Sequence, residues 1–135
     1  EDLSKYQSFN VGVARKDISS NQKLYVTGYN TNDKETNDKY EVSETLRGKI
    51  VTGYGYLTPN REGKKLTQYN LFYNIDIMPG QSGGPIYAKN SSGSKTVIGI
   101  NTAIVDGSAV LAQSYNRGTR FTTKILTFIF NNPSF

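Results

Sequence analysis

Along most of this chain, apolar and polar side chains alternate with a period of two. The pattern is plain in Lys23-Leu24-Tyr25-Val26-Thr27 and again in Gln68-Tyr69-Asn70-Leu71-Phe72-Tyr73. A period of two sends successive side chains to opposite faces of an extended backbone, which describes a half-buried strand. Strands are expected over 8–14, 23–29, 40–53, 67–76, 85–89, 96–105 and part of 109–121. Turn-forming residues separate them. Pro59, Asn60 and Gly63 mark a hairpin connection over 58–65, and a Ser- and Gly-rich stretch marks another over 90–95. The polar, charged stretch 30–38 reads as a loop. The period changes once, near the end. Ile125, Leu126, Ile129 and Phe130 fall on one face of a helix, Thr122 or Thr123 serves as its N-cap, and Asn132-Pro133 stops it. No repeat or shift in composition divides the chain, so 1–135 is expected to be a single domain. The fold expected is all-β, a six-stranded antiparallel β-barrel closed by a C-terminal α-helix over 122–132.

Composition narrows the chemistry. At 135 residues the chain can bury one core, and ten Tyr and six Phe supply much of its apolar bulk. It has no cysteine and no histidine. That rules out a disulfide framework and a thiol nucleophile, and it leaves no ordinary zinc ligand set. No metal and no cofactor is expected. The net charge is +5, but Lys and Arg are scattered, with only Arg15-Lys16 and Lys64-Lys65 adjacent among the pairs that stand out. Such a pattern reads as solvated surface, and no nucleic acid partner is expected. No apolar run approaches the ~18 residues that span a bilayer as a helix, so no membrane partner is expected either. Glu1 is not an initiator methionine, and the chain is expected to be a processed or excised piece, with 1–8 the remnant of a linker.

One motif carries chemistry. Gly80-Gln81-Ser82-Gly83-Gly84-Pro85 places a serine between glycines, directly before an expected strand. Glycines let the backbone turn tightly and bring two N–H groups toward one point, which is how a nucleophilic serine and its oxyanion hole are presented for acyl transfer. A serine hydroxyl is a weak nucleophile without a base beside it, and that base is normally histidine. The motif therefore points to a hydrolase whose base this chain does not contain.

Several stretches together resemble one family. Tyr25-Val26-Thr27-Gly28-Tyr29, Leu46-Arg47-Gly48-Lys49-Ile50, Tyr73-Asn74-Ile75-Asp76, the serine motif, Val97-Ile98-Gly99-Ile100 and Asn116-Arg117-Gly118 follow the order seen in the C-terminal β-barrel of chymotrypsin-like serine proteases. The likeness is to the bacterial glutamyl endopeptidase, or V8-like, branch, and it runs from about residue 9 to 131. In that family the N-terminal barrel supplies histidine and aspartate, and the C-terminal barrel supplies serine, oxyanion hole and most of the specificity pocket. The resemblance thus implies a secreted serine endopeptidase of which this chain is one half. Its implied partners are a peptide or protein substrate and the N-terminal barrel of the same precursor.

The resemblance also implies roles. Ser82 is the nucleophile, and the N–H groups of Gly80 and Ser82 form the oxyanion hole. Gln81 replaces the aspartate that pairs with a new N-terminus in trypsin, so activation by that ion pair is not expected. Asp76 lies where a carboxylate forms the pocket floor and selects Lys or Arg, or else it is a carboxylate hydrogen-bonded at a strand end. Asn101 stands where the V8-like enzymes carry a histidine that recognises glutamate, and Ile77 stands where a small hydroxyl residue assists. Thr102, Ala103 and Ile104 would present a strand edge to substrate by β-augmentation. Ile104 replaces a glycine that keeps the pocket open, and Thr119 would line the opposite wall. A second reading stays open, in which a catalytically dead protease-like barrel binds peptides or proteins.

Overall fold

The computed structural model describes residues 9–29, 50–75, 77, 80–105 and 115–131, with the backbone alone at 103–105. Seven strands and a helix follow in order: β1 (Asn10–Val11), β2 (Leu24–Tyr29), β3 (Ile50–Gly55), β4 (Asn70–Tyr73), β5 (Pro85–Lys89), β6 (Lys95–Val105), β7 (Tyr115–Arg120) and α1 (Thr123–Asn131). Six of the strands run antiparallel to their neighbours in the order β3-β2-β5-β6-β7-β4. The sheet curls until its two ends meet. Leu57, just past β3, bridges Tyr73 of β4, and Thr58 N donates to Phe72 O while Asn74 N donates to Tyr56 O. The expected antiparallel barrel with a terminal helix is present. β1 is an addition: it runs parallel to β6, with Asn10 beside Thr96 and Val11 beside Val97.

The alternation in the sequence sorts side chains as expected. In β2, Leu24 and Val26 are fully buried, while Tyr25 and Thr27 lie on the outer face. Leu24, Val26, Leu71, Tyr73, Ile75 and Ile86 fill the barrel interior together with Ile98. A second cluster of Tyr87, Val97, Phe121 and Leu126 packs α1 against the outside. Both hairpin connections use one device. Asn60 and Asn90 each turn the side-chain oxygen back onto N–H groups two and four residues ahead, and Gly63 and Gly93 take positive φ angles of 75° and 86°. An Asn that bonds its own turn, followed by a glycine free to adopt left-handed backbone, is what the sequence signalled.

Four boundaries differ from expectation. The strand expected over 67–76 is confined to Asn70–Tyr73 because Thr67 N and Oγ1 bond Asn70, folding 67–70 into a turn. Of the strand expected over 8–14, only Asn10–Val11 is paired; Gly12 N and Ala14 N instead bond Val97 O and Phe121 O. The strand expected over 40–53 is observed as Ile50–Gly55, and 40–49 lie outside the described residues. The last strand is observed as Tyr115–Arg120, with 109–114 outside them. The helix begins where its cap predicts, since Ile125 N donates to Thr122 Oγ1 and Leu126 N to Thr122 O. Its apolar face is only half used: Leu126 is buried and Ile125 packs beside it, whereas Ile129 and Phe130 are exposed. Among the described residues the helix joins the core through Ile125 and Leu126.

Candidate active site

The turn that carries Ser82 is suspended between three strands. Gly80 and Gly83 flank it with φ angles of 97° and 84°, a region closed to most side chains. Below the serine, Gly83 N donates to Asn101 O at 2.7 Å and Asn101 N donates to Gly84 O at 2.9 Å, so β6 holds one side. Gly84 N closes the turn on Gln81 O at 3.0 Å. Gln81 is buried, and its Nε2 reaches Val51 O of β3 at 2.9 Å. β2 passes directly beneath: a Cβ on Gly28 would lie 2.8 Å from Gln81 Cα, and one on Gly84 would strike Thr27 O. Two glycines thus allow backbone to approach backbone, and Ser82 is left exposed.

Asn101 is the hub of this arrangement. It is 1% exposed, and its Nδ2 donates to Gln81 O at 3.1 Å. Tyr73, at the end of β4, donates its hydroxyl to Asn101 Oδ1 at 2.5 Å. A neutral chain therefore runs Tyr73–Asn101–Gln81 from the barrel core to the turn. Buried amides and phenols are stable only when bonded in this way, because each bare polar group costs ~1–3 kcal/mol. Burial pushes the Tyr73 hydroxyl above its ordinary value of 10.0, since the phenolate would lose its water. The folded state thus favours the neutral phenol. Stability falls as pH rises past the unfolded value near 10, by about 1.4 kcal/mol per pH unit. Tyr73→Phe is expected to be less stable than wild type at neutral pH, with the gap closing above about pH 10. Urea unfolding of the two proteins from neutral to alkaline pH checks this; a gap that stays constant would contradict it.

The remaining candidates are placed as follows. Ile77 is buried among the barrel core side chains, 2% exposed. Thr102 is exposed at an irregularity where β6 shifts register against β7, and its Oγ1 donates to Arg117 O at 3.1 Å. Ala103 and Ile104 continue β6 opposite Arg117 and Asn116. On its other side β6 pairs with β5 only as far as Ile100, and Gly83 and Gly84 occupy the edge at Asn101. Among the described residues no strand pairs with that edge beyond Asn101. Thr119 is half-buried on β7, between Ile100 and Asn70. Asp76 lies outside the described residues. Ser82, Gly80, Asn101 and this edge of β6 are brought together; Ile77 is buried in the core instead.

Sequence reasoning did not single out Tyr73. It reads as one more inward residue of a strand, and nothing local marks its bond to a residue 28 positions away. Among the described residues no side chain hydrogen-bonds the Ser82 hydroxyl, and no three His, Cys, Asp or Glu gather into a metal-binding group. The N–H groups of Gly80 and Ser82 likewise donate to no acceptor among the described residues. What the arrangement offers is an exposed serine on a fixed turn, with two backbone donors beside it that no described residue engages.

The chain matches the family model described as Trypsin over residues 4–125. No curated protein matches it. With most of the chain matched, and with a curled antiparallel barrel and terminal helix carrying a glycine-bounded serine, this protein belongs to the trypsin family and has a chymotrypsin-like serine protease fold.

Proposed function

We propose that this chain is the serine-bearing C-terminal barrel of a secreted endopeptidase of the V8-like branch, which hydrolyses peptide bonds through an acyl-enzyme on Ser82. The observation that carries this reading is the exposed Ser82 on a turn locked by Gln81 and Asn101, with the N–H groups of Gly80 and Ser82 unengaged among the described residues. In the reaction, Ser82 Oγ attacks the scissile carbonyl and the two N–H groups receive the developing oxyanion. Loss of one such donor costs about 2.7–4 kcal/mol of barrier. The proton of Ser82 must pass to a base, and with no histidine in the chain the base and its orienting aspartate come from the N-terminal barrel of the same precursor. Alone, the chain is inactive.

The edge of β6 at 102–104, which no described strand pairs, suits an extended peptide, which would add a strand there. Asn101 does not suit a glutamate-binding role, because both ends of its amide are already engaged and it is 1% exposed. Asp76 remains the candidate for a charged pocket floor. The absence of histidine also favours a second reading, a catalytically silent barrel that binds peptides along the same edge.

Fluorophosphonate labelling separates the two. The chain alone is expected to stay unlabelled, the chain joined to the upstream segment of its gene to be labelled, and the joined Ser82→Ala protein to lose the label completely. A joined protein that binds peptide but takes no label would establish the silent barrel instead.

A further inference from the structure

We propose that the cavity beside the N-terminus of α1 is a binding site for a polyvalent oxyanion, a ligand presenting two or more negative charges on phosphate- or sulfate-type oxygens. The cavity is open to solvent on one side and has a volume of about 830 Å³, within the range of small-molecule sites. Lys16, Lys64, Lys124 and Arg120 line it with Leu66 and Tyr69, and among the described residues no acidic one does.

Three features of the site are unfavourable without an anion. Arg120 is 7% exposed, with Nε donating to Ala14 O at 2.7 Å and Nη1 to Thr67 O at 2.9 Å. Those bonds hold the guanidinium in place but leave its charge uncompensated: among the described residues no carboxylate pairs with it. A buried cation ordinarily requires a counter-charge. Next, Lys124 stands in the first turn of α1, where no acidic residue is present. The helix dipole is positive at that end, so a lysine there opposes it and an anion relieves it. Finally, Lys16 and Lys124 take part in no ion pair among the described residues, and Lys64 meets only the exposed Glu62 at 3.7 Å. A doubly charged oxyanion lying between Arg120 and the lysines would answer all three. The planar guanidinium suits oxyanion geometry, and the lysines supply mobile point charges at the rim.

The site is remote in role from peptide hydrolysis, and the inference does not rest on it. The test is calorimetric titration of the 135-residue chain with inorganic pyrophosphate at low salt, with sulfate and chloride compared at matched ionic strength. Saturable one-to-one binding of pyrophosphate is expected, weaker binding of sulfate, and none of chloride. Lys16→Ala with Lys124→Ala should weaken pyrophosphate binding by about tenfold or more. Lys89→Ala with Lys95→Ala, which removes the same charge from another face, should leave it unchanged. The ligand-free melting temperature of the first pair should equal or exceed wild type, because an unfavourable first-turn lysine is gone. No saturable binding, or equal weakening by both double variants, would overturn the proposal; the second result would mean attraction to net charge alone.

Discussion

At neutral pH, Asn101→Asp is expected to lose about 3–5 kcal/mol of stability, the scale of an uncompensated buried charge. The substitution keeps the shape of the side chain and the oxygen that accepts from Tyr73. It replaces the Nδ2 donor with a second acceptor, facing Gln81 O across 3.1 Å. The site is 1% exposed, so water cannot screen the new charge. Protonation is the only relief, since a neutral carboxyl can donate to Gln81 O as the amide does. Burial and the facing carbonyl therefore raise the folded-state value above the unfolded value near 3.9. The variant should be close to its full stability below about pH 4 and lose about 1.4 kcal/mol per pH unit as pH rises toward the folded value. Urea midpoints for the variant and wild type at acid and neutral pH measure the difference directly. An identical penalty at both would mean that Asn101 does not hold the turn through its amide.

This network shows where the sequence was legible and where it was not. The alternation of Leu24, Tyr25, Val26 and Thr27 revealed a strand and its two faces because side-chain direction in an extended backbone is a local property. The same holds for Asn60 and Gly63, and for Thr122 at the head of α1, whose bonds span only a few residues. The serine motif was legible because glycines at Gly80, Gly83 and Gly84 have little reason to cluster except a tight turn. Asn101 was marked by its place on β6, but not by its task. Its two partners lie 28 and 20 residues away, brought close only because β4 and β6 both pair with β7 and the serine turn bonds β6. The closure of the barrel, through Leu57 and Tyr73, leaves no local trace. The strand over 67–76 failed for a related reason, since Thr67 bonding Asn70 makes a turn from residues whose alternation suits a strand. Arg120 was hidden in the same way. An arginine at the end of a strand ordinarily faces water, and only the positions of Ala14 O and Thr67 O turn it inward.

One glycine of the serine turn and one of the Asn90 hairpin make the second large prediction, because they divide by cause. Gly93 sits at a φ angle of 86° with open space around the place a Cβ would occupy. Gly93→Ala should therefore cost only the backbone term, about 1–2 kcal/mol. Gly84 has no unusual φ, yet its Cβ would strike Thr27 O and lie 2.9 Å from Gln81 O. Both obstacles are backbone and cannot rotate away. Gly84→Ala should cost about 3 kcal/mol or more, since β2 and the turn must move apart to admit the methyl group. That movement pulls on Gly84 N and O, which bond Gln81 O and Asn101 N, and so shifts Ser82 itself. In the joined protease a shift of that kind should lower fluorophosphonate reactivity by about 100-fold, even in conditions where the variant is fully folded. Thermal melts rank the two variants, and labelling of the folded Gly84→Ala protein reads the displacement. If Gly84→Ala melts no lower than Gly93→Ala, β2 yields easily and its close approach does not hold the turn. If it melts lower but labels at the wild-type rate, the approach supports the barrel without positioning the serine.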